Sequence, residues 1–334
     1  MQDKQRRSEV SPRHSVIDAL ETVALRATHS AALASQAWLG RHDEKAADQA
    51  ATEAMREVLG GAPGQGTVVI GEGEKDDAPM LFNGEVVGAG DGPDFDIAVD
   101  PVEGTSFCAK GLPGALATIA FGESGTLWSP GPGFYMDKIV VPPAACGAVD
   151  LDDAPERTLE KVAEALGKTV GELRVIIMDK PRHEGLIAQV VRAGAAVHTP
   201  AGGDVGGALE VLLPSMDADV LLGVGGTPEG VMTAAAVRAL GGGMLGRLAP
   251  QKEDEADAIR ESGMDLDRVL ARDDLAAGDA VFVATGISGG SLLARPRRSD
   301  STTLAESLLI SHGQVRRIQH TTFDPVPGTG APGS

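Results

Sequence analysis

The sequence predicts an α/β protein, on three observations. Between Leu173 and Leu240 apolar runs of strand length alternate with segments of helix length. Upstream, two long stretches rich in Ala and Leu end in glycine and read as helices, followed by short Val/Ile runs bounded by Gly and Pro. The chain has 334 residues, long enough for one large α/β domain or two lobes sharing a core.

Residues 1–15 lack periodicity and are expected to be mobile. From Val16 to Leu39 polar residues recur at near-helical spacing among Ala, Leu and Val, which predicts an amphipathic helix ended by Gly40. A second helix is predicted from Glu44 to Leu59, stopped by Gly60-Gly61. Gly66 to Ile70 reads as a strand, Ala115 to Phe121 as another, and Pro130-Gly131-Pro132-Gly133 breaks the chain before Phe134 to Lys138. Residues near Asp150 to Leu173 look helical and linker-like, so a lobe boundary is placed at 150/151. The alternation beyond it is strand Leu173–Met178, helix Arg182–Ala193, strand Ala195–Thr199, helix Asp204–Leu213, strand Ala218–Val224 and helix Glu229–Leu240. Such βαβ order predicts a largely parallel sheet with right-handed crossovers and ligand groups gathered at strand ends. Glu253 to Asp267 reads as a solvated acidic helical face, Val281 to Gly286 as a last buried strand, and 325–334 as a disordered Pro/Gly tail.

Composition narrows the function. A net charge of -19 argues against a nucleic-acid partner, because that recognition rests on Lys and Arg neutralising phosphates, and 3% aromatics leave no platform for stacking bases. No apolar stretch approaches the roughly 20 residues that span a bilayer, the N-terminus has no secretory apolar run, and Cys108 and Cys146 read as reduced core thiols. These features together predict a cytoplasmic protein.

The chemistry is expected around Asp96 to Thr105. The apolar run Ile97-Ala98-Val99 reads as a buried strand that Pro101 should end by removing a backbone donor. Just past it stand Asp100 and Glu103, with Gly104 permitting a tight path and Thr105 adding a hydroxyl. This corner is either a solvated acidic turn or a set of oxygens for a hard cation such as Mg²⁺ or Mn²⁺. Gly71-Glu72-Gly73-Glu74-Lys75-Asp76-Asp77 poses the same choice, since its carboxylates repel unless solvated, paired or gathered on a cation. Lys180-Pro181-Arg182-His183 offers a phosphate grip or an exposed basic turn, with His183 read as structural. Asp204 reads as a helix cap after Gly202-Gly203. In Gly225-Gly226-Thr227-Pro228-Glu229-Gly230, Thr227 reads as the cap and Pro228 as the first helical residue. A dinucleotide fingerprint is rejected there, because no third glycine follows at phosphate spacing.

Asp100-Pro101-Val102-Glu103-Gly104-Thr105 resembles the signature of the metal-dependent, lithium-sensitive sugar and inositol phosphatases. With Gly71 to Glu74 and Gly225 to Gly230, the order of motifs resembles class II (GlpX-type) fructose-1,6-bisphosphatases from about Val16 to about Gln319. The resemblance implies a layered α-β-α-β-α fold with two mixed sheets, residues 16–150 forming a metal-binding lobe and 151–324 a sugar-phosphate lobe. It implies hydrolysis of the 1-phosphate of fructose 1,6-bisphosphate without a covalent intermediate, by a homo-oligomer (dimer or tetramer). Asp48, Glu72, Asp100, Glu103 and Glu229 would hold Mg²⁺ or Mn²⁺. Thr105, relayed by Asp76 and with Glu74 close by, would orient the attacking water. Lys180, Pro181 and Arg182 would anchor the distal phosphate, and Tyr135, Asp204 and Gly226, with Glu103, Gly104 and Thr105, would bind the sugar phosphate. Two departures bear on the substrate: Glu44-Lys45 stands where relatives carry Lys-Asn, and Gly202 where they carry Asp. Another sugar phosphate (sedoheptulose 1,7-bisphosphate or an inositol phosphate) or a weakened sugar-phosphate-binding protein are the alternatives.

Overall fold

The computed structural model describes residues 12–71 and 80–323. Glu72, Glu74 and Asp76, and the expectations for 1–11 and 325–334, lie outside the described residues. In chain order the elements open with α1 (Pro12–Ser35), α2 (Glu44–Leu59), β1 (Gln65–Ile70), β2 (Val86–Val87), β3 (Asp94–Glu103), α3 (Thr105–Lys110), β4 (Leu116–Glu123) and β5 (Tyr135–Val141). Next come α4 (Pro155–Leu166), β6 (Arg174–Ile176), α5 (Glu184–Ala193), β7 (Ala196–His198), α6 (Asp204–Leu212), β8 (Val220–Gly226), α7 (Thr227–Leu240) and β9 (Gly243–Leu248). The chain closes with α8 (Glu253–Glu261), β10 (Leu270–Ala271), α9 (Arg272–Leu275), β11 (Ala280–Gly286), β12 (Arg297–Arg298), β13 (Thr302–Ser311) and β14 (Gln314–Phe323).

Two mixed sheets result, as the resemblance implied: one in the order β12-β13-β11-β4-β3-β1-β2 with β14 on β13, the other β10-β9-β5-β8-β6-β7. Alternation along single strands shows the layering. Ile97 and Val99 pack with Leu20, Ala24, Met55 and Leu59 of α1 and α2, while Ala98 between them faces α6 and α7. Val140 faces that same middle layer, whereas Ile139 and Val141 pack on Leu159 and Val162 of α4. The stack is therefore α1/α2, first sheet, α6/α7, second sheet, α4/α5. Helix α7 is apolar around its whole circumference because sheets lie on both sides of it.

Several expectations are corrected. The second sheet is not largely parallel: β6 pairs parallel with β7 and β8, but β5 enters antiparallel beside β8, followed by β9 and β10. The region around Gly246 is strand β9. Val281 to Gly286 is not the last strand, since β13 and β14 form a hairpin after it. Residues 280–323, which the sequence reading assigned to the second lobe, lie in the first sheet, with β11 against β4. Helix α1 begins at Pro12 rather than Val16 and ends in a 3₁₀ turn, Gln36–Trp38.

Pro101 does not end its strand. Asp100 pairs with Thr118 and Glu103 with Leu116, so a bulge in β3 absorbs the missing donor, and the Val102 N–H is taken by Asp100 Oδ1 at 3.0 Å. The two thiols also differ. Cys108 is buried with its pKa pushed up to about 11, by burial first and the Asp48 carboxylate second. Cys146 is exposed, contrary to its reading as a core thiol. A thiol reagent is expected to modify one cysteine promptly in native protein and the second only after denaturation; prompt reaction of both contradicts this burial.

Candidate active site

The bulge turns two β3 carboxylates toward the N-termini of α6 and α7. Oxygen atoms of Asp100, Glu103 and Glu229 all lie within 4.8 Å of one another. Glu103 is buried, and its Oε1 accepts the Val205 N–H at 3.0 Å, satisfying one of the amides that a helix start leaves unpaired. Glu229 sits in the first turn of α7, where a Cβ at Gly226 would overlap its carboxylate. Gly104 takes the left-handed backbone (φ 76°, ψ 47°) that lets α3 start immediately after Glu103. The Thr105 hydroxyl hydrogen lies between two acceptors, Asp48 Oδ1 at 3.2 Å and the Val102 carbonyl at 3.0 Å, which brings Asp48 of α2 to the same corner. A donor set made only of oxygens, with several formal negative charges, fits a hard divalent cation. One other cluster of possible metal ligands exists among the described residues, Asp18, Glu21 and His312, but it includes a ring nitrogen and Glu21 is already paired with Arg316.

Packing these carboxylates together has an electrostatic consequence. The pKa of Glu103 is pushed up to about 8, first by burial and then by the carboxylates of Asp204 and Glu229. In the unfolded chain the group titrates near 4.5, so between these values the metal-free folded state holds the extra proton. The stability this contributes is complete below the unfolded value and is lost as pH rises through the folded one. A bound cation displaces that proton. The metal-free protein is therefore expected to lose Tm between pH 5 and 8, while the Tm gain on adding Mg²⁺ or Mn²⁺ grows over the same range. A gain independent of pH contradicts the assignment.

Around this corner lie the other residues of interest. Tyr135 is the register partner of Gly226, and the Arg182 guanidinium stands 5.3 Å from the Tyr135 ring centroid. Arg182 Nε and Nη2 both donate to the Val224 carbonyl, at 3.1 and 2.9 Å. Beside it, His183 is structural. Burial lowers its pKa, so the neutral ring donates from Nδ1 to the Met178 carbonyl at 2.7 Å and accepts the Val224 N–H on Nε2 at 2.9 Å. Lys180 and Pro181 lead into this turn, with Lys180 half-buried and Pro181 at its first position. The structure thus joins Tyr135, Arg182 and Gly226 at one end of the cluster.

Two caps differ from expectation. Gly226, not Thr227, is the residue before α7, and Thr227 and Pro228 are its first two residues. Asp204 does not cap α6; its Oδ2 pairs with Lys138 Nζ at 2.5 Å. Lys138 was missed, although a lysine within the apolar run Met136 to Val141 was the signal for a buried partner. Glu255 was missed as well. It belongs to the helical stretch read as a solvated face, yet it is buried and accepts the Phe134 and Tyr135 N–H groups at 2.9 and 3.2 Å. The two departures separate: Glu44 and Lys45 are exposed at the start of α2, one turn before Asp48. Gly202 instead lines a cavity of about 420 Å³ with Phe107, Ile176, Gly206 and Leu292. Gly203 borders the same cavity, and a Cβ there would stand 4.0 Å from Glu103 Oε1, so the cavity adjoins the carboxylate corner. Among the described residues no Lys or Arg lines it.

Comparison with known proteins agrees with this geometry. The family profile described as bacterial fructose-1,6-bisphosphatase, glpX-encoded, matches residues 18–322. The chain is 43% identical over 310 residues to the Escherichia coli (strain K12) protein named fructose-1,6-bisphosphatase 1 class 2, covering 88% of this chain and 92% of that relative. Proteins named fructose-1,6-bisphosphatase class 2 from Escherichia coli O6:H1 and Shigella flexneri are similar to the same extent.

Proposed function

The chain belongs to the bacterial, glpX-encoded fructose-1,6-bisphosphatase family, and from that premise we propose that it hydrolyses the 1-phosphate of fructose 1,6-bisphosphate, with a divalent metal, to fructose 6-phosphate and phosphate. The observation that carries the reading is the convergence of Asp100, Glu103 and Glu229 within 4.8 Å beside the Thr105–Asp48 pair. Asp48, Glu72, Asp100, Glu103 and Glu229 would hold Mg²⁺ or Mn²⁺, which would supply polarisation of the phosphoryl group, a more acidic water and charge to offset that on the leaving oxygen. Thr105, aided by Glu74 and Asp76, orients the water for attack in line with the ester bond. The P–O bond breaks and the oxygen stays on the sugar. Lys180 and Arg182, with Pro181 shaping the turn, grip the distal phosphate, and the Tyr135 ring stays under the guanidinium. Asp204 accepts sugar hydroxyls, while the backbone at Gly104 and Gly226 lies against the substrate. The reading includes a cytoplasmic homo-oligomer, a dimer or tetramer; among the described residues no helix is long and apolar enough to cross a membrane.

One observation favours a second reading. The cavity behind Gly202 leaves room beside the sugar site for a longer chain such as sedoheptulose 1,7-bisphosphate. Phosphate release from a panel of sugar and inositol phosphates, with Mg²⁺, Mn²⁺ or EDTA, tests both. Release from fructose 1,6-bisphosphate that EDTA abolishes is the expected result. A preference for the seven-carbon substrate supports the second reading, and silence across the panel leaves a binding protein.

A further inference from the structure

Lys138 is the one lysine or arginine among the described residues that is fully buried, at 2% exposed. It lies on the face of β5 that carries Met136 and Val140, and so points into the middle layer between the sheets. An ammonium group there is costly unless it is paired and hydrogen-bonded. Its two partners are both at helix starts: Asp204 Oδ2 at 2.5 Å, on the first residue of α6, and the Gly226 carbonyl at 2.8 Å, immediately before α7. Helix starts attract anions, so a cation at this place serves the carboxylates around it rather than the helix dipoles. Asp204 is where that charge is needed, because its neighbour Val205 donates its N–H to Glu103, which sets two carboxylates at successive positions of one helix start.

We infer that Lys138 is a positioning residue for sugar recognition: it holds Asp204 by one oxygen, so that the carboxylate presents a fixed direction to substrate hydroxyls. The packing restricts the alternatives. A Cβ at Gly225 would overlap the Asp204 carboxylate and approach the Lys138 side chain, so the pair fills a slot that only glycine leaves open. The next residue, Val205, is held by Glu103, so the start of α6 is tied to the catalytic corner at two successive positions. The hydrogen bonds of Lys138 go to Asp204 and the Gly226 carbonyl rather than to Asp100, Glu103 or Glu229.

The inference rests on reading Asp204 as a sugar contact, and steady-state kinetics of Lys138→Met, Asp204→Asn and the double variant distinguish the two. Each single variant is expected to raise KM for fructose 1,6-bisphosphate about tenfold or more with kcat within about threefold. Inhibition by inorganic phosphate, which lacks the hydroxyls, should be unchanged. The double variant should be no worse than Asp204→Asn alone, because both changes remove one interaction. It also removes the buried charge pair together, so it carries the comparison if Lys138→Met does not fold. A KM raised by Asp204→Asn but not by Lys138→Met overturns the role of Lys138. An unchanged KM in Asp204→Asn overturns the reading of Asp204 and with it this inference. Multiplicative losses in the double variant, or equal losses of sugar and phosphate affinity, identify a purely structural lysine.

Discussion

Glu103→Gln is expected to lower turnover about a thousandfold while the metal-free protein becomes more stable. The glutamine keeps a carbonyl oxygen for the Val205 N–H, so the tie to α6 survives. What disappears is an ionisable carboxyl whose charge the metal-free fold resists, through burial first and the Asp204 and Glu229 carboxylates second, so above about pH 5 the variant no longer has to take up a proton on folding. The same charge is what a divalent cation needs, so the Tm gain on adding Mg²⁺ should shrink as the Tm in EDTA rises. Such an exchange of stability for activity is the mark of a site whose groups are held close against their own repulsion. Natural turnover in Glu103→Gln would remove the residue from the scheme, and a lower Tm in EDTA would mean that the carboxylates do not repel.

Thr105→Ala is expected to lose about 10²-fold in turnover or more with metal-induced stabilisation intact. The hydroxyl lies between Asp48 and the Val102 carbonyl and stands at the first position of α3, where alanine is well tolerated. The loss should therefore appear in kcat and not in Tm. Thr105→Ser, which retains the oxygen, should recover most of the rate. Failure of serine to recover activity would mean that the methyl group, not the hydroxyl, is what the site requires.

How far the sequence could be read differs from residue to residue. Helix α2 was predicted with its observed ends, because the stop at Gly60-Gly61 acts within a few residues, and the structure adds Asp43 as the cap at its start. Asp100 and Glu103 were legible as a pair, but the bulge that aims them was not, because a proline ends a strand unless the neighbouring strand tolerates the irregularity. The β13–β14 hairpin was missed although His312-Gly313, both at positive φ, is a two-residue hairpin turn. Its strands alternate too weakly to announce themselves, since β14 is largely exposed. Lys138 and Glu255 were passed over for a different reason: each is polar within a segment whose character seemed settled, and its partner lies far away in the chain.

Residue types alone narrowed the chemistry without deciding it. An oxygen-only acidic set and a basic turn in an otherwise acidic protein fit a hard cation and a phosphate, and equally a solvated acidic turn and an exposed basic one. The order of the motifs determined the family. Tertiary structure alone decided the surroundings of each carboxylate: Glu103 becomes the buried, repelled one, Asp204 the one paired with Lys138, and Glu255 a clamp on the tyrosine strand. The reason is that charge and burial depend on neighbours tens to hundreds of positions apart, and only packing brings them within hydrogen-bonding distance.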